Sequence, residues 1–360
     1  MKLFRCQNCG NTVLFENAKC VQCGLMLGFL PDALEMSAVE RQGANWRTLG
    51  SEQRECRFCA NWELDSCNWL VADPGETIYC RACLHNRMIP NLSDPVNQSR
   101  WSKLEHAKKR LIYSLLRLRM PLPTPNSADR EPLMFDFLGD TAPDGGAVKT
   151  GHDNGLITLA ISEADDAARE KTRTLLREPY RTLLGHFRHE SGHYYWDRLV
   201  RDVGKLDAYR EIFGDERIDY GPALQKYYAQ GAPPDWNDHF VSEYAASHPW
   251  EDFAETFAHY LHIVDTLDTA LSVGIRISNR QAGHVRVAFD PYEPNEISQL
   301  VEVWIAVSFA ANCLNRSMGQ PDLYPFVLSP MAVNKLEFVN SIIHSATRDP
   351  CLHGFRDRAP

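Results

Sequence analysis

The chain has 360 residues, 44% of them hydrophobic, and a formal net charge of -9. That length suits two or three domains with sizeable cores. The acidic balance argues against general attraction to nucleic acid or an anionic membrane, and no apolar run approaches the roughly 20 residues that span a bilayer.

The first residues, Met1 to Cys9, lack the apolar stretch of a signal peptide, so a cytoplasmic protein is expected. In that compartment 11 cysteines point to metal binding rather than to disulfides. Residues 1–30 carry Cys6-x2-Cys9 and Cys20-x2-Cys23. Two such pairs aim four thiolates at one tetrahedral ion, the pattern of a zinc ribbon. Gly10 and Gly24 follow the pairs, where the turn calls for positive φ. So short a segment needs the metal for its folding energy.

Residues 52–95 hold a second cluster, Cys56, Cys59, Cys67, Cys80 and Cys83, one thiol too many for one tetrahedral ion. Spacing favours Cys56 and Cys59 with Cys80 and Cys83; the alternative takes Cys67 and leaves Cys56 free. Cys313 and Cys351 have no partners and are expected as small buried residues. Neither ribbon shows a basic stripe, which favours contact with protein, or plain structural support, over nucleic acid.

Residues 97–130 comprise a helix and a linker. Trp101, Leu104, Ala107, Leu111, Leu115 and Leu118 recur at helical spacing, with Lys103, Lys108, Lys109 and Arg110 between them as the polar positions. Met120-Pro-Leu-Pro-Thr-Pro ends the helix and reads as an extended linker. Residues 131–350 form the last domain. Leu133–Leu138 and Leu156–Ile161 are β-prone runs, punctuated by turn signals at 143–146 and 151–155. Leu156–Ile161 is either an edge strand for a substrate backbone or a core strand. Asp165–Arg177 reads as a helix.

His189-Glu-Ser-Gly-His193 is an H-E-x-x-H motif. On a helix residues four apart share a face, so both imidazoles can reach one ion, and Glu190 can act on a water there. The expected helix starts near Pro179 and buries Leu183, Leu184, Phe187 and Tyr194. Residues 204–240 carry loop signals; their Pro/Gly-rich part is either a lid or substrate loop or, more simply, a plain connection. A second helix is expected from about Pro249, with Glu251 and Glu255 on one face. Glu251 is assigned to the metal and Glu255 to a ring nitrogen of a ligand histidine; the two could exchange roles, and Asp252 is a weaker third option. Ile297–Ala311 and Met331–Ala346 read as buttressing helices, and Arg316 and Asp322 as surface residues.

The pairing of His189-Glu-Ser-Gly-His193 with Glu251-Asp-Phe-Ala-Glu255 resembles the gluzincin metallopeptidases, especially the group of anthrax lethal factor and the Pro-Pro endopeptidases. The resemblance implies that Glu251 binds zinc, and that Tyr244, seven residues before it, stabilises an oxyanion. The gap between the motifs is long compared with thermolysin, so the intervening loop is not carried over. Almost the whole chain also resembles a bacterial family described as zinc-binding metallopeptidases with an N-terminal zinc ribbon. The shared stretches are Cys67-Asn-Trp-Leu-Val71, Thr150-Gly-His-Asp, Glu178-Pro-Tyr-Arg-Thr-Leu-Leu-Gly-His186, the metal helix and Asn315-Arg-Ser-Met-Gly319. This second resemblance implies Cys59, Cys67, Cys80 and Cys83 as the second ligand set.

The expected protein is thus α+β: an N-terminal zinc-ribbon region, then a mostly helical zincin-like domain with a small sheet. It holds one catalytic and two structural Zn²⁺ and hydrolyses peptide or protein substrates, with Glu190 as general base. The competing expectation is a non-catalytic adaptor whose ribbons bind a protein partner and whose H-E-x-x-H metal is structural.

Overall fold

A computed structural model describes residues 2–72, 77–127, 129, 131–139, 148, 150–176, 181–279 and 283–346. The expectations for Pro179, the 143–146 turn and Cys351 lie outside them. The chain divides into two compact units, Met1–Thr172 and Arg173–Pro360.

The first unit opens with a hairpin of β1 (Phe4–Arg5) and β2 (Thr12–Val13). An antiparallel sheet follows, in the order β3 (Met26–Leu30), β4 (Glu35–Gln42), β5 (Asn45–Thr48), β6 (Glu55–Phe58) and β7 (Leu70–Val71). The β4–β5 hairpin has no counterpart among the expected elements. Its interior run Met36–Val39 is buried on both faces, so it lacks the alternation that marks a half-buried strand. A second sheet runs β10 (Gly151–Asp153), β11 (Leu156–Ala160), β9 (Met134–Leu138) and β8 (Asn86–Met88). Strand β11 is paired on both sides, parallel to β9 and antiparallel to β10. It is an interior strand, flanked by β9 along its whole length and by β10 over Leu156–Thr158.

Helix α1 (Pro95–Arg117) starts at Asp94, whose side chain accepts from Val96 N, with Pro95 at the first turn. Trp101, Leu104, Leu111 and Leu115 are buried, as expected. Lys108 and Lys109 are buried too, contrary to their reading as polar positions. They pair with buried Glu105 at 2.6 and 2.9 Å, which makes burial of an ammonium tolerable. Met120 and Leu122 are also buried, so the segment after α1 packs rather than spans. Helix α2 (Asp166–Leu176) follows the second sheet.

In the second unit, α3 (Leu183–Trp196) carries the H-E-x-x-H motif. It starts at Thr182, whose hydroxyl accepts from Gly185 N at 3.0 Å. Phe187 and Tyr194 are buried; Leu183 and Leu184 are half-buried. Residues 204–240 are largely helical: α4 (Leu206–Phe213), α5 (Tyr220–Gln230) and α6 (Trp236–His239). The glycines that read as loop signals are helix ends, Gly214 at φ 98° and Gly231 at φ 78°. Helix α7 (Pro249–Val273) begins with His248, whose Nδ1 accepts from Trp250 N, and ends at left-handed Gly274.

A hairpin of β12 (Arg276–Asn279) and β13 (Gly283–Arg286), then α8 (Ile297–Ser317) and α9 (Pro330–Ala346), close the unit. Helix α8 is long and apolar enough to cross a membrane by length and composition, where no such run was expected. One face buries Leu300, Val301, Trp304 and Val307, while Ile305, Phe309 and Cys313 are exposed. Cys313 is therefore not the buried residue expected. Arg316 and Asp322 pair with each other at 2.6 Å on the surface.

The packing of α3 on α7 sets the second unit. Gly192, within the metal motif, faces Ala254: a Cβ at 192 would lie 2.8 Å from Ala254 Cα. Glycine in a helix interior costs about 1 kcal/mol relative to alanine. Here it lets two backbones approach closely enough for side chains of both helices to meet at one point.

Candidate metal centres

Among the described residues three groups of ligating atoms gather, each within 4.8 Å of one another: Cys6, Cys9, Cys20 and Cys23; Cys59, Cys67, Cys80 and Cys83; and His189, His193 and Glu251. In the first, Gly10 N and Gly24 N donate to the carbonyls of Cys6 and Cys20, with φ of 73° and 77°. These tight turns place Cys6 and Cys23, and Cys9 and Cys20, each 3.6 Å apart.

In the second group Cys67 lies 3.6 Å from Cys80 and 3.9 Å from Cys83. Backbone amides of Trp69 and Cys80 donate to the sulfurs of Cys67 and Cys59 at 3.4 and 3.3 Å. Cys56 stands apart, on β6, in an apolar cluster with Leu30, Val39, Phe58 and Leu70. Burial pushes its thiol up to about 11, so it stays neutral. The spacing argument for Cys56 thus fails, because a strand carries it into the core. Lys109 lies beside this group. Burial would discharge it, but Cys67, Glu105, Cys83 and Cys80 hold its pKa well above the usual lysine value.

The third group lies between α3 and α7. The His189 and His193 rings are perpendicular, with centroids 4.9 Å apart. Glu251 Oε2 lies 3.0 Å from His189 Nε2 and 3.5 Å from His193 Nε2. Glu255, one turn on, binds His189 Nδ1 through Oε1 at 2.7 Å. Its Oε2 accepts from Ser242 Oγ at 2.6 Å, and Ser242 Oγ in turn accepts from Ala245 N. Burial would raise Glu255, but the His189 hydrogen bond and charge hold it down to about 2. Burial would lower His189, but the Glu251 and Glu255 carboxylates against its two ring nitrogens hold it well above the usual histidine range.

These facts bear directly on a cation. With Nδ1 engaged by Glu255, His189 turns Nε2 toward Glu251, an edge that holds either a proton or a metal ion. Glu251 Oε2 is buried and has no hydrogen-bond donor. Two acceptors 3.0 Å apart repel unless a proton or a metal ion lies between them. The donor set of two imidazoles and a carboxylate suits Zn²⁺. Asp252 is turned away: it pairs with Lys335 at 2.7 Å.

Glu190 is buried beside His189. Tyr244 lies in a short 3-10 turn, its ring 5.9 Å from that of His189. Tyr220 and Ser242 were not anticipated. The Tyr220 hydroxyl donates to Glu251 Oε1 at 2.6 Å. Neither residue has a spacing signal in the sequence, and Tyr220 falls in the stretch read as loop.

Residues 97–342 match the family model described as "Putative zinc-binding metallo-peptidase", and residues 3–94 match a zinc-ribbon domain. The chain belongs to this zinc-binding metallopeptidase family. It is also 39% identical over 350 residues, 97% of each chain, to uncharacterized proteins of Mycobacterium tuberculosis and Mycobacterium bovis. No solved structure matches it. Within the family's span lie all but the first turn of α1, the strands β9, β10 and β11, and all of the His189–His193–Glu251 group.

Proposed function

We propose that this family member is a zinc-dependent peptidase, with its ion at His189, His193 and Glu251. The observation that carries the reading is the donor-less Glu251 Oε2 facing two histidine nitrogens, with Glu190 next to one of those histidines. When bound, Zn²⁺ supplies Lewis acidity, lowering the pKa of a coordinated water toward about 7. Glu255 fixes the tautomer of His189 so that Nε2 keeps its lone pair. Glu190 takes a proton from the attacking water and returns it to the leaving amine. Tyr244 donates to the substrate carbonyl oxygen as it gains charge; loss of one such donor costs about 2.7–4 kcal/mol. The two cysteine groups would each hold a structural Zn²⁺. Val21, 91% exposed between Cys20 and Cys23, gives the first ribbon an apolar tip for a protein contact.

Glu190→Gln is the test, read on a quenched-fluorescent peptide library. Turnover should fall about 10²–10⁴-fold while zinc per chain stays constant. Unchanged turnover would remove Glu190 from the reaction. Zinc-replete wild type that cleaves nothing would favour the adaptor reading.

A further inference from the structure

Helix α5 buries none of its residues completely, and Tyr220 at its start is 39% exposed. A tyrosine so exposed can leave its hydroxyl in water. Tyr220 instead turns inward, edge-on to His248 and Trp250 at 5.3 and 5.8 Å, and gives its proton to Glu251 Oε1. Its phenol also feels that of Tyr244 electrostatically. The two oxygens of Glu251 are thereby divided: Oε1 is engaged by a phenol, and Oε2 alone faces the histidines. A carboxylate without such a partner is free to rotate and offer both oxygens to one divalent ion.

We propose that Tyr220 is a positioning residue that restricts Glu251 to one ligating oxygen, keeping a coordination place open for water or a substrate carbonyl. Its consequence for turnover rests on the peptidase reading; its effect on the ligand does not. The electrostatic influence between Tyr220 and Tyr244 places this control close to the group that would bind the carbonyl oxygen.

The test uses the full chain with Co²⁺ at the His189–His193–Glu251 centre and zinc kept at the cysteine groups. The visible bands of Co²⁺ weaken as coordination rises from four to five. Wild type should give the stronger bands and Tyr220→Phe the weaker ones. Metal affinity should fall about 10–100-fold, and kcat should fall more than KM changes. Tyr220→Phe keeps the ring and its packing; Tyr220→Ala should give the same weakened spectrum without them. Identical cobalt spectra in all three proteins overturn the proposal, whatever happens to turnover. Failure of the peptidase reading looks different: the spectra change as expected, but wild type cleaves no peptide. Cobalt that is retained in His189→Ala overturns both.

Discussion

Cys59, Cys67, Cys80 and Cys83 come from turns close in sequence, whereas His189, His193 and Glu251 come from two long helices that cross at Gly192 and Ala254. The thiol group offers four donors, all buried, with Lys109 and backbone amides around them. That is a closed set, in which nothing is left for a substrate. The imidazole–carboxylate group offers three donors, with a carboxylate and two phenols beside them. On the proposed reading, the same element would be suited to opposite tasks by the fourth position and by the charge of the neighbours.

The largest expected effect would break the comparison at its root. Structural zinc contributes about 10–16 kcal/mol to the folding of small metal domains. Cys67→Ala should therefore lose one zinc and unfold the segment around residues 55–90, seen as new protease cuts there. Glu251→Ala should also lose one zinc but leave the proteolytic pattern unchanged. Equal unfolding in both variants would mean that the two groups share one structural role.

A second difference is what stands behind the ligands. Burial pushes His259, bonded to Tyr324 at 2.6 Å, down to about 4. Its folded pKa lies below the unfolded value, so the unfolded chain binds the proton more readily. Its contribution is complete above about pH 6.5 and is lost as pH falls toward 4, about 3 kcal/mol in all. Denaturant midpoints should drop less over that window in His259→Gln than in wild type. Parallel curves would show that His259 does not titrate in the fold.

The smallest effect concerns the helix crossing. Gly192→Ala would push a methyl group into Ala254. A loss of about 1–3 kcal/mol is expected from overpacking, with weaker zinc binding at the histidines and unchanged binding at the cysteines. Calorimetry with zinc titration would check both.

Much of this was legible in the sequence because local rules govern it. The two-residue cysteine spacings, the four-residue spacings of His189 with His193 and of Glu251 with Glu255, and Pro249 at a helix start all report on one turn of backbone. What stayed hidden depends on partners distant in sequence. Lys108 and Lys109 look like solvent-facing residues until Glu105 and the thiols are seen to surround them. Tyr220 and Ser242 act only through side chains 31 and 13 residues away. Gly214 and Gly231 were seen as turn residues, but spacing could not tell a loop from a helix end. Cys56 and Cys67 show the same limit, since strand β6, not spacing, decides which thiol is withdrawn.

The buried trio of Glu105, Lys108 and Lys109 has a consequence for the order of assembly. Two ammonium groups cannot leave water before negative partners wait for them. Glu105 supplies one such partner, and the gathered sulfurs supply the rest. The middle of α1 is therefore expected to seal onto a cysteine group already drawn together, coupling helix docking to ion capture. In a chain made without zinc, α1 would form its turns early and then wait, its lysines still wet.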